Sequence, residues 1–328
     1  MNTKSLSLNI KNISKEEKET REESLKLFNK EGFPNKRLEE WKFTDLNRII
    51  TDNFKNLKPN NQIKEKFNIN FLKEFEHNYI VLVNGVLKSK NFDYEDKDKI
   101  KITDYKEEKV EKLENHNPLI HLNNALAYGG YFLEISKKYK FKKPLVIYNF
   151  FLDNLENRIV NNKNLLVLND EVDLDLLEVS SDISEKNFIY NNYTKIEVGE
   201  NSSLKNYTLQ GCNSNGFFYK YVNTFLKKRS NYDNYIFTSG LKFCRVEEDV
   251  SINGEEAKCS IQSALFLNSK SHQEIKSQLN HLKPNCISFQ KIKNVLNKNC
   301  KGIYQGKIYV KDVAQKTDAY QLSKALLL

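Results

Sequence analysis

The chain has little of what punctuates or cross-links a polypeptide. Of 328 residues only 11 are Gly and 5 Pro, which excludes collagen-like and Pro/Gly-rich low-complexity classes. Its five cysteines, Cys212, Cys244, Cys259, Cys286 and Cys300, include no CxxC pair. That argues against a disulfide framework and against a zinc or iron–sulfur site built from sequence neighbours. The histidines, His77, His116, His121, His272 and His281, form no HxH or HExxH pattern. There is no GxSxG, P-loop, GxGxxG or metalloprotease helix. No apolar run approaches the roughly 18 residues of a membrane span, and the longest, around Tyr79–Leu87, is broken by Asn84-Gly85. The first thirty residues are charged and lack an apolar h-region, so no secretory signal is expected and the location expected is the cytoplasm.

What is present is a moderately apolar, aromatic-rich chain: 39% apolar residues, with 20 Phe and 17 Tyr. This excludes wholesale disorder. The net charge of +9, from 52 Lys+Arg against 43 Asp+Glu, raises a basic nucleic-acid-binding module as one reading. Against it, Lys is interspersed with Asp and Glu, and the runs Lys140–Lys143 and Lys227–Arg229 are short enough to be solvated faces.

The N-terminal part reads as helical with some strand. Ser14 and Glu17 make a capping box for a helix over 14–31 with Leu25, Leu27 and Phe28 on its apolar face, and Gly32 with Pro34 stops it. A helical or irregular piece follows over Leu38–Ile50, then a polar stretch to about residue 70. Asn84-Gly85 predicts a type I′ hairpin between Tyr79–Val83 and Val86–Lys88. Asn117 and Pro118 start a helix expected to run to Tyr128. From Tyr131 onward short strand-like runs recur, punctuated by Asn, Gly, Asp and Ser, with no convincing helix between them. Rossmann and TIM architectures are thereby excluded. Recurrent strand–polar turn–strand phrases favour a parallel β-helix over a sandwich, although no fixed period shows. The expected division is a helical/α+β region over 1–130 and a β-helix core over 131–328.

Candidate chemistry is sparse. Asp173 and Asp175 alternate along a strand and share one face, and Glu247, Glu248 and Asp249 form an acidic run. These acids admit a carbohydrate-active β-helix enzyme as a second reading; the simpler expectation is exposed strand carboxylates. His281 precedes Cys286 and Ser288 closely, but a Cys/His nucleophile requires spatial adjacency and a low thiol pKa.

Two phrases carry more information. Arg37–Leu46 contains EEWKFTDL, and Gly306–Gln321 reads GKIYVKDVAQKTDAYQ, followed by Leu326-Leu327-Leu328. Together with His281–Leu296 (HLKPNCISFQKIKNVL) they resemble the SufB/SufD family of iron–sulfur cluster assembly proteins, the N-terminal phrase being more similar to SufD. The resemblance implies a right-handed parallel β-helix preceded by a helical region. It also implies a non-catalytic scaffold subunit that pairs with a SufB-like β-helix protein and a SufC-like ATPase. No cofactor is expected on this chain alone, the iron–sulfur cluster being present only transiently in the complex, and no membrane partner is implied. Trp41, His281, Cys286, Gln315, Lys316, Thr317 and Asp318 are the signature residues, expected to be structural or at an interface, with no catalytic or metal-ligating residue among them. In Ala314–Ala319, Thr317 and Asp318 are expected to bond turn amides and Gln315 to ladder with polar neighbours. Family members continue past the three leucines. The chain is therefore expected to be a C-terminal truncation whose ATPase-docking segment would lie beyond Leu328 and whose last strand is open to self-association.

Overall fold

The computed structural model describes residues 6–8, 10, 13–60, 71–107, 117–152, 155–182, 186–210, 214–268 and 270–328. His116, Cys212 and most of the polar stretch before residue 70 lie outside them. The helices are α1 (Lys15–Glu31), α2 (Leu46–Asn53) and α3 (Pro118–Leu126). The first strands are β1 (Lys58–Pro59), β2 (Asn78–Val83), β3 (Val86–Asn91), β4 (Ile100–Asp104), β5 (Tyr131–Ile135), β6 (Leu145–Phe151), β7 (Arg158–Leu168), β8 (Asp173–Asp182) and β9 (Phe188–Val198). Then follow β10 (Ser203–Gln210), β11 (Ser214–Leu226), β12 (Asn231–Ser239), β13 (Leu241–Ile252), β14 (Lys258–Leu267), β15 (His272–His281), β16 (Ile287–Leu296), β17 (Lys301–Val310) and β18 (Asp318–Leu327).

From β5 on, successive strands alternate between two sheets. The first sheet runs β17-β15-β13-β11-β9-β7-β5-β4 with β1 beside β7, and the second β18-β16-β14-β12-β10-β8-β6-β2-β3. All neighbours from β5 and β6 onward are parallel, so the fold is a two-sheet parallel solenoid of about 6 turns, with 53% of residues in strands. The rung length varies: Ser203 pairs with Asn231 and Asn231 with Lys258, steps of 28 and 27 residues, whereas Ile287 pairs with Asp318, a step of 31. That drift hides the period from a search for a fixed repeat. Strands before residue 131 also belong to both sheets: β2 pairs in parallel with β6, and β4 antiparallel with β5.

Local chemistry accounts for the elements at the N-terminal end. Ser14 accepts from the Glu17 N–H at 3.1 Å and caps α1, whose buried residues are Arg21, Ser24 and Phe28. Leu27, expected on the apolar face, is exposed instead, because the buried stripe is set by contact with α3. The Leu38–Ile50 segment divides into a 3₁₀ turn at Glu39–Trp41 and α2, which Asp45 caps by accepting from the Arg48 N–H. At the hairpin both Asn84 (φ 49°) and Gly85 (φ 81°) take the positive angles a type I′ turn requires. α3 ends at Leu126, earlier than expected. Ala127 leaves the helical region, and the buried Arg21 guanidinium donates to the carbonyls of Asn124, Ala125 and Ala127, supplying a cation where a helix C-terminus favours one.

One core fills the space between the sheets, with Leu133, Leu166, Ile196, Phe218, Val250, Ile261 and Leu279 among its members. Another lies on the outer face of the first sheet, where Ile159, Ile189, Phe217, Tyr219 and Phe243 are covered by Phe28, Trp41, Ile50, Phe54 and Leu119. The N-terminal region is thus a layer spread across several rungs.

Candidate functional site

The outer row that receives this layer runs Asn161, Asn191, Tyr219, Arg245, Glu274 through the registers of β7, β9, β11, β13 and β15. Asn191 donates to the Leu119 carbonyl at 3.0 Å, and Asn117 to the Tyr219 hydroxyl at 2.6 Å. Trp41, 1% exposed, packs 6.0 Å from the Tyr219 ring and 3.8 Å from the Arg245 guanidinium carbon.

Arg245 is the centre of a buried ion cluster. Its Nε donates to Glu247 at 2.7 Å, one terminal nitrogen to Glu274, and the other to the Glu40 carbonyl at 2.7 Å. Lys276 bridges Glu40 and Glu247, and Thr44 and His272 both contact Glu274. Glu40, Trp41 and Thr44, all from the N-terminal phrase, therefore close over charges carried by β13 and β15. Burial works against each charge here. For Glu247 the cations Arg245 and Lys276 outweigh it and hold the carboxyl below its usual range; for Glu274, hydrogen bonding to His272 and the Arg245 charge do the same. Burial likewise opposes the Arg245 charge, and Glu247 and Glu274 more than restore it.

A second polar file lies between the sheets. Lys220 Nζ donates to Glu178 at 2.8 Å across the interior, and Asn206 and Asn234 bond at 3.1 Å. Glu248, one residue from Glu247, points the opposite way, into this interior. Burial pushes its carboxyl up to about 8 against the pull of the nearby Lys220. The expectation of exposed acids on this strand is therefore corrected for Glu247 and Glu248, which are 3% and 2% exposed. Asp173 and Asp175 do face outward, Asp173 pairing with Lys140 at 2.8 Å.

Burial disfavours the thiolate form of three cysteines. Burial pushes Cys244 up to about 12, Cys259 further, and Cys286 upward. Among the described residues no group of three or more His, Cys, Asp or Glu side chains is arranged to hold a metal ion.

The remaining signature residues sit at the last corners. Gln315 Nε2 donates to the Asp312 carbonyl at 2.6 Å and Thr317 Oγ1 to the Ala314 carbonyl at 2.8 Å, while Lys316 turns the chain at φ 56°. The side chains thus bond carbonyls of their own turn; the expected amide bonds of Thr317 and polar ladder of Gln315 are not the contacts they make. Asp318 acts through its backbone N–H, which donates to the Cys286 carbonyl at 3.0 Å, and the Asn285 N–H donates to the Gln315 carbonyl, so this corner stacks on the one holding Cys286. The Cys286 thiol points to the Gly254 and Pro284 carbonyls at 3.2 and 3.3 Å. His281 bonds the Ser288 hydroxyl at 2.9 Å and not Cys286, and its burial favours the neutral ring. Trp41 belongs to the Arg245 cluster, so the structure divides the signature between two places. No motif in the sequence singled out Arg245, Glu274 or Lys276.

Residues 150–328 match the family described as SUF system FeS cluster assembly, SufBD core domain, and residues 6–147 match the SufBD protein N-terminal region. The chain belongs to the SufB/SufD family. No curated protein matches the chain as a relative. In this SufBD chain the boundary between the two matches falls in β6, inside the second sheet. The Trp41–Arg245 contact joins the SufBD N-terminal region to the SufBD core.

Proposed function

We propose that this chain is a SufD-like, non-catalytic scaffold subunit of a SufBCD-type complex for iron–sulfur cluster assembly. The observation that carries the reading is the family match along nearly the whole chain, over a two-sheet solenoid whose outer face is covered by the N-terminal region. A role in SUF-system cluster assembly follows from the family. The particular complex, the SufB-like partner, the SufC-like ATPase and the scaffold role are the finer proposal. Buried thiols with raised pKa values support a subunit that does not perform sulfur chemistry at these cysteines. The free thiols Cys244, Cys259, Cys286 and Cys300 are compatible with a reducing cytoplasm, the location proposed. No helix among the described residues is long and apolar enough to cross a membrane.

The proposal keeps the division into an N-terminal region to about residue 130 and a β-helix core, with Trp41 at their contact and Gln315–Asp318 as a structural or interface corner. Affinity purification of the tagged chain from its own cell, with mass spectrometry of what co-purifies, tests it. SufB-like and ATPase subunits are the expected partners; their absence from a folded, well-expressed preparation contradicts it.

A further inference from the structure

Among the described residues, the outer face of the second sheet is covered at one end and bare beyond it. At the covered end the Phe71 ring packs tilted against Tyr79 (4.6 Å) and edge-on against Tyr148 (5.3 Å), the Leu72 N–H donates to the Tyr148 hydroxyl, and Glu76 pairs with Lys143 at 2.7 Å. The cover is thus a short apolar and acidic stretch, Phe71–His77. The row beneath it continues in register from Tyr148 through Val179, Leu209, Phe237, Ala264, Lys293 and Lys324. The adjacent row carries Tyr207, Tyr235, Gln262 and Lys291, with the two tyrosine rings stacked at 4.9 Å.

Past the cover this surface is apolar, aromatic and then basic. Tyr207, Leu209 and Phe237 are each about two-fifths exposed, and they line a groove of 290 Å³ that ends on Lys291 and Lys293. Among the described residues no carboxylate lies within ion-pair distance of Lys291, Lys293 or Lys324. Asp175 and Asp233 on this face share a row with Lys205. Contiguous exposed apolar surface rimmed by charge marks interaction sites.

We infer that this groove docks an apolar, acidic segment of a partner protein, laid along the rungs as Phe71–His77 is laid on the preceding ones. Aromatic or leucine side chains would seat between Tyr235 and Phe237, and carboxylates would meet Lys291 and Lys293. The chain's own cover supplies the precedent for this occupant, and the unpaired lysines supply the charge complementarity.

The test uses the full chain, a fluorescein-labelled peptide alternating Phe or Leu with Glu, and a control peptide with Lys replacing every Glu. Anisotropy is read at low salt. The acidic peptide should bind saturably and at least about tenfold more tightly than the control. Two outward-facing double variants, Tyr235→Ser with Phe237→Ser and Lys291→Glu with Lys293→Glu, should each weaken binding by about tenfold or more while circular dichroism stays unchanged. Absence of saturation, equal affinity for the Lys peptide, or indifference to both variants overturns the inference. So do two other results: binding only of a single-stranded oligonucleotide, and a groove-dependent dimer seen by light scattering.

Discussion

The guanidinium carbon of Arg245 lies 3.8 Å from the centre of the Trp41 ring, its Nε bonds Glu247 at 2.7 Å, and the side chain is 1% exposed. One residue thus pairs with two buried carboxylates, stacks on the chain's single Trp and donates to the Glu40 backbone. The N-terminal layer is fastened to the solenoid at this point. Arg245→Met leaves Lys276 as the remaining cation on buried Glu247, takes the guanidinium from buried Glu274, and should destabilise the fold by about 3–5 kcal/mol. Arg245→Lys keeps the charge but loses the fork and the stacking, and should fall between. Trp41→Ala should cost about 3–5 kcal/mol. Urea denaturation measures all three, and losses below about 1 kcal/mol would show that the cluster does not fasten the layer.

Native tryptophan fluorescence offers a second check on that contact. Trp41 is buried, so its emission should be blue-shifted and should move to the red only as the N-terminal layer detaches. Emission at the solvent-exposed wavelength in the folded protein would contradict the packing.

Glu247 and Glu248 should act oppositely on the pH dependence of stability. Glu247 is held below its unfolded value, so its contribution is present above about pH 4.5 and is lost as pH falls through the folded pKa. Glu248 is raised to about 8, so folding favours its protonated form, and its contribution is present below about pH 4.5 and lost as pH rises toward 8. Glu248→Gln should therefore flatten the decline in stability between those values and leave the variant more stable than the parent above pH 8. Melting temperatures across pH 5–9 that fall in parallel for both proteins would refute the assignment.

Thiol reactivity should follow burial. Cys244 and Cys259 are enclosed with raised pKa values, whereas Cys300 is partly exposed. Iodoacetamide labelling of the native protein, resolved by peptide mass spectrometry, should modify Cys300 at least about a hundredfold faster than either. Comparable rates would mean that the interior opens readily.

Gly130 sits at φ 130°, and a Cβ there would lie 1.8 Å from the Lys163 carbonyl oxygen. Gly130→Ala should cost at least about 2 kcal/mol, because the clash is with backbone of the next rung. A neutral effect in thermal melts would show that β7 can shift away.

The general plan was legible in the sequence because its signals were local. Asn84-Gly85, the Ser14/Glu17 box and Asn117-Pro118 each mark an element through neighbouring residues, and the strand-like runs punctuated by polar residues past Tyr131 correspond to the strands of the solenoid. Strand starts were lost where the buried residues are polar. β7 begins at Arg158 and places Asn161–Asn164 out of solvent, and β13 begins at Leu241 and buries Arg245, Glu247 and Glu248. Written out, such residues look like loop or surface; only the cover on one face and the partners across the interior explain their burial. Leu27 shows the converse, since its place in the apolar stripe of 14–31 predicts burial but it is 38% exposed. The Arg245 cluster itself joins residues about two hundred positions apart, which no local pattern encodes.

A solenoid that serves as one subunit of a Suf assembly complex should pair with the SufB-like protein of the same cell when the two are mixed. Size-exclusion chromatography with light scattering should show a single species with the mass of a one-to-one pair. Two separately eluting components, each folded by circular dichroism, would contradict it.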